Sequence, residues 1–343
     1  MTNSQRRLGR SVAAVAVILV LLAMAACGGA GDSDNRERSS VTIGAMRPGT
    51  SWYVFAATLA NLLQKDLPDG MSAEVIARGG AIGNPILVDR GDASVALAQA
   101  ATAVWAANGD AKAYKEKHEN IRALVGGLNS VWVTALLREE YIARTGNDTL
   151  EKALSDDRPI RVVMKPAGSV VPVFADMVLA AFGASREKIV SAGGEVTQVS
   201  ANQIASILRD GRADLYFETA IRGHPTITEI TTTVDIRFVD LPDSVLDQLK
   251  GPGVNAIPLP QYFKGQSGPT KAVDMGTVLI CHKDFSDELA YLVTKTVCEN
   301  KEEMGLAHKA WLDFVPEQGG LIEKTGIPLH PGAERYFREK GWL

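Results

Sequence analysis

The sequence predicts an α/β protein of two lobes facing each other across a cleft. A strand–loop–helix series occurs twice with matching glycine landmarks, and two β-rich stretches are placed to cross between the copies. The chain has 343 residues, 46% of them hydrophobic and 22% charged, which allows two domains of ordinary size with a substantial buried core.

The first series opens with a β-type run, Val41 to Ala45, followed by the loop Met46 to Ser51. A helix is expected from Trp52 to Asp66, because Phe55, Leu59, Leu62 and Leu63 fall on one face and Thr50 or Ser51 suits its N-cap. A strand over Ser72–Ile76, a Gly79-Gly80 turn, a short helix ending at Gly91 and a buried strand at Val95-Ala96-Leu97 complete it. The second series has a strand at Ile160–Met164, a loop with Gly168-Ser169, and a helix from Pro172 to about Phe182, stopped by Gly183. Ile189-Val190 precedes Gly193-Gly194, a helix with Ile204, Ile207 and Leu208 ends at Gly211, and Leu215-Tyr216-Phe217 is a strand. Gly49 to Gly91 spans 42 residues and Gly168 to Gly211 spans 43; Arg90-Gly91-Asp92-Ala93 echoes Asp210-Gly211-Arg212-Ala213. Two related lobes, each with a largely parallel sheet covered by helices, follow from this pairing. Ligands of such sheets sit beyond the carboxyl ends of the strands. Val131–Leu137 leaves the first lobe and Asp274–Ile280 returns, a double crossing that makes a hinge. Lobe one is expected over 41–130 plus 284–343, with helices over Ser286–Glu303 and Met304–Phe314; lobe two spans 131–283.

The N-terminus reads as an address. Arg6, Arg7 and Arg10 precede an uncharged apolar run, Val12 to Ala26, too short to span a bilayer comfortably. Residues 1–26 are expected to be a signal peptide, with Arg6-Arg7 a weak hint of twin-arginine export. Met24-Ala25-Ala26-Cys27 resembles a bacterial lipobox, with Met where leucine is usual, so Cys27 is the expected lipid anchor and 27–40 a flexible tether. A cleaved signal without lipid is the alternative.

Composition excludes some functions. The net charge is −4, and the first 26 residues hold three arginines and no acid, so the remainder carries −7. That argues against non-specific nucleic-acid binding. Three cysteines make no disulfide framework; Cys281 and Cys298 read as buried small hydrophobes, with a disulfide between them the alternative. His118, His224, His282, His308 and His330 are scattered without zinc-ligand spacing, and there is no nucleophile elbow or P-loop. No catalytic residue, cofactor or metal site is expected.

The ordered segments resemble the TAXI family of TRAP-transporter solute-binding proteins over about residues 41–343. Pro48-Gly49-Thr50-Ser51-Trp52-Tyr53 is similar to that family's Pro-Gly-Gly-Thr-Tyr-Tyr loop, and Gly79-Gly80-Ala81-Ile82-Gly83-Asn84 to its Gly-Gly-Ser-x-x-Asn segment. Gly91-Asp92-Ala93-Ser94 through Gln99, Gly168-Ser169-Val170-Val171, Phe217-Glu218-Thr219 and His330 to Phe337 match further family stretches in order. Ala100, Ala101, Val170 and Val171 depart from it by removing polar groups where the ligand is expected. The resemblance implies a two-lobed periplasmic-binding-protein-like (class II) fold with a two-strand hinge. It also implies an extracytoplasmic receptor that partners the membrane subunits of a TRAP-type, ion-driven carrier. Family ligands include amino acids such as glutamate and small organic acids.

Candidate binding residues follow from the loops. Arg47, Thr50, Ser51, Trp52 and Tyr53 surround a helix N-terminus, a geometry that favours a carboxylate; plain capping is the alternative for Thr50 and Ser51, and core packing for the two aromatics. Gln99 follows a buried strand and Asn84 precedes Pro85, and each either meets ligand or caps backbone. Ser169 and Thr219 are the second-lobe counterparts. Lys165 and Arg222, with Arg47, lie beyond strand ends where they would attract an anion; Glu218 either neutralises one of them or meets a ligand amine. The expected function is capture of a small anionic solute by lobe closure, the solute and the membrane being partners and nucleic acid not. A ligand-sensing accessory of a membrane signalling system, or an enzyme on the same fold, are the alternatives.

Overall fold

The protein is described by a computed structural model over residues 40–155 and 158–343. Residues 1–39, with the arginines, the apolar run, Cys27 and most of the tether, lie outside the described residues.

The chain begins with strand β1 (Ser40–Gly44) and the helix Ser51–Asp66. Strand β2 (Ser72–Ile76) and the helix Gly83–Asp89 follow, then β3 (Val95–Gln99) with the helix Ala100–Asn108, and β4 (Ile121–Val125). The chain crosses into β5 (Trp132–Arg138). Next come β6 (Arg161–Met164), the helices Val171–Ala181 and Arg186–Ser191, β7 (Glu195–Gln198), the helix Ala201–Arg209 and β8 (Leu215–Ala220). The helix Pro225–Thr233, β9 (Ile236–Val239), the helix Asp243–Leu249 and the two-residue β10 (Val273–Asp274) complete the second lobe's sheet. Strand β11 (Thr277–His282) returns to the first sheet, and the helices Asp287–Glu299 and Lys301–Ala307, a 3₁₀ turn Lys309–Asp313 and the helix Pro331–Glu339 finish the chain.

The two sheets share one plan. The first runs β2-β1-β3-β11-β4, and the second contains β7-β6-β8-β5 with β9 and β10 both paired to β5. β1 pairs with β3 in parallel, as β6 does with β7 and β8. In each sheet the third strand of the series then takes the crossing strand antiparallel: β3 with β11, β8 with β5. The repeated series in the sequence is therefore a repeated sheet order, completed in each lobe by the strand that arrives from the other.

The structure departs from the sequence reading in three places. Gly193-Gly194 is not the counterpart of Gly79-Gly80: it precedes β7, and Ile189-Val190 lies in a helix, whereas Gly79-Gly80 follows β2. The returning crossing is two strands, broken at Met275-Gly276, where Gly276 takes a positive φ of 56°. Because β11 pairs with β3 and β4, the chain rejoins the first sheet there, ahead of the boundary expected near residue 283. The expected continuous helix to Glu303 stops at Glu299 and restarts at Lys301.

Packing follows the patterns that predicted it. β3 is buried along its whole length, as a strand covered on both faces must be. Phe55, Leu59, Leu62 and Leu63 are all buried on the inner face of the helix Ser51–Asp66. Phe55 stacks on Trp311 with ring centroids 4.2 Å apart, tying the C-terminal 3₁₀ turn to the first helix. Cys281 and Cys298 are free and buried. Residues 41–343 form one compact unit.

The lobes touch through main chain. The Ile82 N–H donates to the Gly168 carbonyl at 3.1 Å. Gly80 makes this approach possible: its φ is 106°, and a Cβ there would lie 2.7 Å from the Gly168 oxygen. Gly80→Ala is expected to keep the lobes from meeting, with about 1 kcal/mol or more of backbone strain in addition. Small-angle scattering of residues 41–343 should show a larger radius of gyration in the variant, and an unchanged value would refute this account of the contact.

Candidate functional site

The carboxyl ends of the parallel strands from both sheets converge on one small cavity of about 40 Å³. The first lobe contributes Met46 and Thr50 from the loop after β1, Ser51 and Trp52 from the helix start that follows it, and Gln99 from the end of β3. The second contributes Lys165 and Ser169 from the loop after β6, Thr219 from the end of β8 and His224 from the loop that follows it. That volume holds about three water-sized groups. A second chamber of about 360 Å³ adjoins it through Met46, Thr50, Lys165, Ser169 and Ala201, with Arg47 and Arg78 on its wall.

The helix Ser51–Asp66 presents its N-terminus to the inner chamber. Thr50 is its N-cap and accepts from the Tyr53 N–H at 3.4 Å, while its hydroxyl donates to the Arg47 carbonyl at 2.8 Å. Ser51, in the first turn, is 7% exposed, and its Oγ has no hydrogen-bond partner among the described residues. A buried hydroxyl left unpaired beside a helix N-terminus suits an acceptor, above all an anionic one. Gln99 heads the helix Ala100–Asn108; Thr102 Oγ1 accepts its N–H at 3.1 Å, and Gln99 Oε1 has no hydrogen-bond partner among the described residues.

The opposite wall is built on an ion pair. Lys165 Nζ lies 2.7 Å from Glu218 Oε1, and both side chains are buried. Tyr216 donates to Glu218 Oε2 at 2.5 Å, and the Thr219 N–H and hydroxyl donate to Oε1 at 2.7 and 3.2 Å. Burial alone would push the Glu218 carboxyl up, but the Lys165 charge and the hydrogen bonds from Lys165 and Tyr216 outweigh it and hold it below the usual range. The Tyr216 hydroxyl is pushed up by burial and by Glu218. His224 Nδ1 accepts the Ile227 N–H at 3.2 Å, capping the helix Pro225–Thr233. Burial pushes His224 down to about 3; Glu218 opposes this, while Lys165 and His308 add to it. The imidazole is therefore neutral and presents its Nε2–H as a donor.

Of the residues singled out in the sequence, Thr50, Ser51, Trp52, Gln99, Lys165, Ser169 and Thr219 line the inner chamber, and Arg47 the outer one. Three do not. Tyr53 lines neither chamber. Asn84 is a buried scaffold: its Nδ2 donates to the Gly44 and Leu97 carbonyls at 3.3 and 2.7 Å, and its Oδ1 accepts the Gly80 N–H at 3.0 Å. Arg222 reaches across the seam to Asp313 instead of into the cavity. Sequence reasoning passed over Met46, Ile221 and His224. His224-Pro225, directly after β8, carried a usable signal: a capping residue and a helix-starting proline at a strand's carboxyl end. Among the described residues no group of three His, Cys, Asp or Glu side chains is placed to hold a metal.

Two outcomes follow. Glu218→Gln leaves the Lys165 ammonium buried without its counter-charge and is expected to cost about 3–5 kcal/mol in denaturant unfolding; a loss below about 1 kcal/mol would mean that water already shares the site. For His224, the folded state stays neutral down to about pH 3 while the unfolded chain protonates near pH 6.5. The resulting stability is complete above pH 6.5 and is lost as pH falls, at about 1.4 kcal/mol per unit. His224→Asn keeps a cap for Ile227 and should flatten the acid limb between pH 6 and 4 by about that slope. An identical limb in the variant would assign the slope to other groups.

Comparison with solved structures agrees with the two-lobed architecture. MatC from Rhodopseudomonas palustris, solved with bound malate, superposes with a TM-score of 0.55 at 13% identity, covering 87% of this chain and 98% of that one. A periplasmic transporter structure gives 0.51 at 12% identity, covering 91% and 95%. At such identities the likeness carries the fold alone. Sequence comparison is more specific: the model of the NMT1-like family matches residues 43–341, from β1 to the last helix. The chain belongs to the NMT1-like family.

Proposed function

We propose that this protein is an extracytoplasmic solute-binding receptor that captures a small anionic solute between its lobes and delivers it to a membrane transporter. The carrying observation is the inner chamber, where unpaired Ser51 Oγ at a helix N-terminus faces Lys165 and neutral His224 across the cleft. Donors from both lobes converge on one point, so a bound acid would bridge them and favour closure.

The carboxylate head fits the inner chamber. The remainder extends into the outer one, beneath Arg47 and Arg78. Lys165 is already paired with Glu218, so the helix N-terminus and neutral donors supply most of the inner attraction, and Arg47 supplies charge at the mouth. The sequence resemblance to TAXI receptors favours a TRAP-type carrier as partner, with amino acids such as glutamate and small organic acids as solutes. Cys27 is the proposed lipid anchor that keeps the receptor beside that carrier.

A thermal-shift screen of residues 41–343 tests this reading, using amino acids, C4–C6 dicarboxylates, keto acids and sugars. At about 100 times its dissociation constant, a true ligand should stabilise the fold by about 2.7 kcal/mol, a few degrees. Ser51→Ala and Arg47→Ala are each expected to weaken an acidic hit about three- to ten-fold. A sugar hit indifferent to both substitutions would refute the anion assignment. Recovery of a chemically altered solute would point to an enzyme.

A further inference from the structure

We infer that Asp313 is a positioning residue that holds the cleft shut by acting through Arg222. Asp313 belongs to the 3₁₀ turn packed on the first lobe, and Arg222 to the loop after β8 in the second. Arg222 Nη1 donates to Asp313 Oδ1 at 3.0 Å. Tyr262, also from the second lobe, donates to Asp313 Oδ2 at 3.4 Å, and the Arg222 guanidinium lies over the Tyr262 ring, 5.4 Å from its centroid. One carboxylate of the first lobe is thus held by two side chains of the second. Beside it, the Lys309 side chain packs at Gly223.

Both ends of this clasp are tied to the cavity. In the loop 221–224, Ile221 and His224 line the inner chamber while Arg222 between them crosses the seam. On the other side, Trp311 of the 3₁₀ turn stacks on Phe55 of the helix whose first residues, Ser51 and Trp52, line the same chamber. Any solute that seats His224 against the Ser51 helix start therefore brings Arg222 and Asp313 together. The clasp touches no solute, so its effect falls on how long the closed state lasts, not on encounter.

The clasp rests on the receptor reading only for its kinetic readout. Residues 41–343 would carry spin labels at Lys115→Cys and Glu187→Cys, exposed positions of the first and second lobes, since Cys281 and Cys298 are buried. Asp313→Arg and Arg222→Asp should each shift the solute-free distance distribution toward longer separations. Each should also speed release of the acid found by the thermal-shift screen about five-fold, with the on-rate within about two-fold of the parent. The double swap, Arg222→Asp with Asp313→Arg, should restore both readouts. Single variants with parental distances, or a double swap that restores nothing, would overturn the clasp. If no acid binds at all, the receptor reading fails while the distance measurement still decides the clasp.

Discussion

Lys165 and Glu218 place opposite charges where water is excluded, and the cleft is organised around keeping them paired. An isolated charge at either position would cost several kcal/mol, so the surrounding groups are committed to the pair. Tyr216 and Thr219 spend their donors on Glu218, and His224 stays neutral beside them. The result is a wall rich in donors yet carrying no net charge. The first lobe faces it with a Ser51 hydroxyl that has no partner among the described residues, at a helix N-terminus.

The same economy appears in the architecture. Each sheet is a short parallel set that delivers its loops to one end, and each is completed by an antiparallel strand arriving from the other lobe. The crossing strands are thus interior members of the sheets they enter, so motion between lobes is confined to the few residues joining β4 to β5 and β10 to β11. At the rims the lobes meet through the Ile82–Gly168 main-chain hydrogen bond beside Gly80 on one side, and through Arg222, Tyr262 and Asp313 on the other.

Much of this was legible in the residues. The repeated landmarks gave the two lobes, the helical spacing of Phe55, Leu59, Leu62 and Leu63 gave the first helix, and strand-to-helix loops gave Ser51, Gln99, Lys165 and Ser169 as cavity residues. Where the reading failed, the residue type allowed two roles and only neighbours chose between them. Asn84 sits in a ligand-like segment but answers three buried backbone groups, the Gly80 N–H of the close turn and the Gly44 and Leu97 carbonyls of β1 and β3. Gly193-Gly194 looked like the partner of Gly79-Gly80 because both are glycine pairs at similar spacing, although one enters a strand and the other leaves one.

By itself the sequence determined the fold class, the duplication and the ends of the strands that face the cleft, since periodicity, turn residues and helix caps are local properties written within a few residues of each other. Only the tertiary structure decided which charges remain for a solute. Lys165, Arg222 and Arg47 are equivalent as cations at strand ends, yet Lys165 is matched by Glu218 from a neighbouring strand, 53 positions away, Arg222 by Asp313 at 91, and Arg47 is left at the mouth. Pairing between charges depends on distance and burial across the fold, and neither is a function of position along the chain.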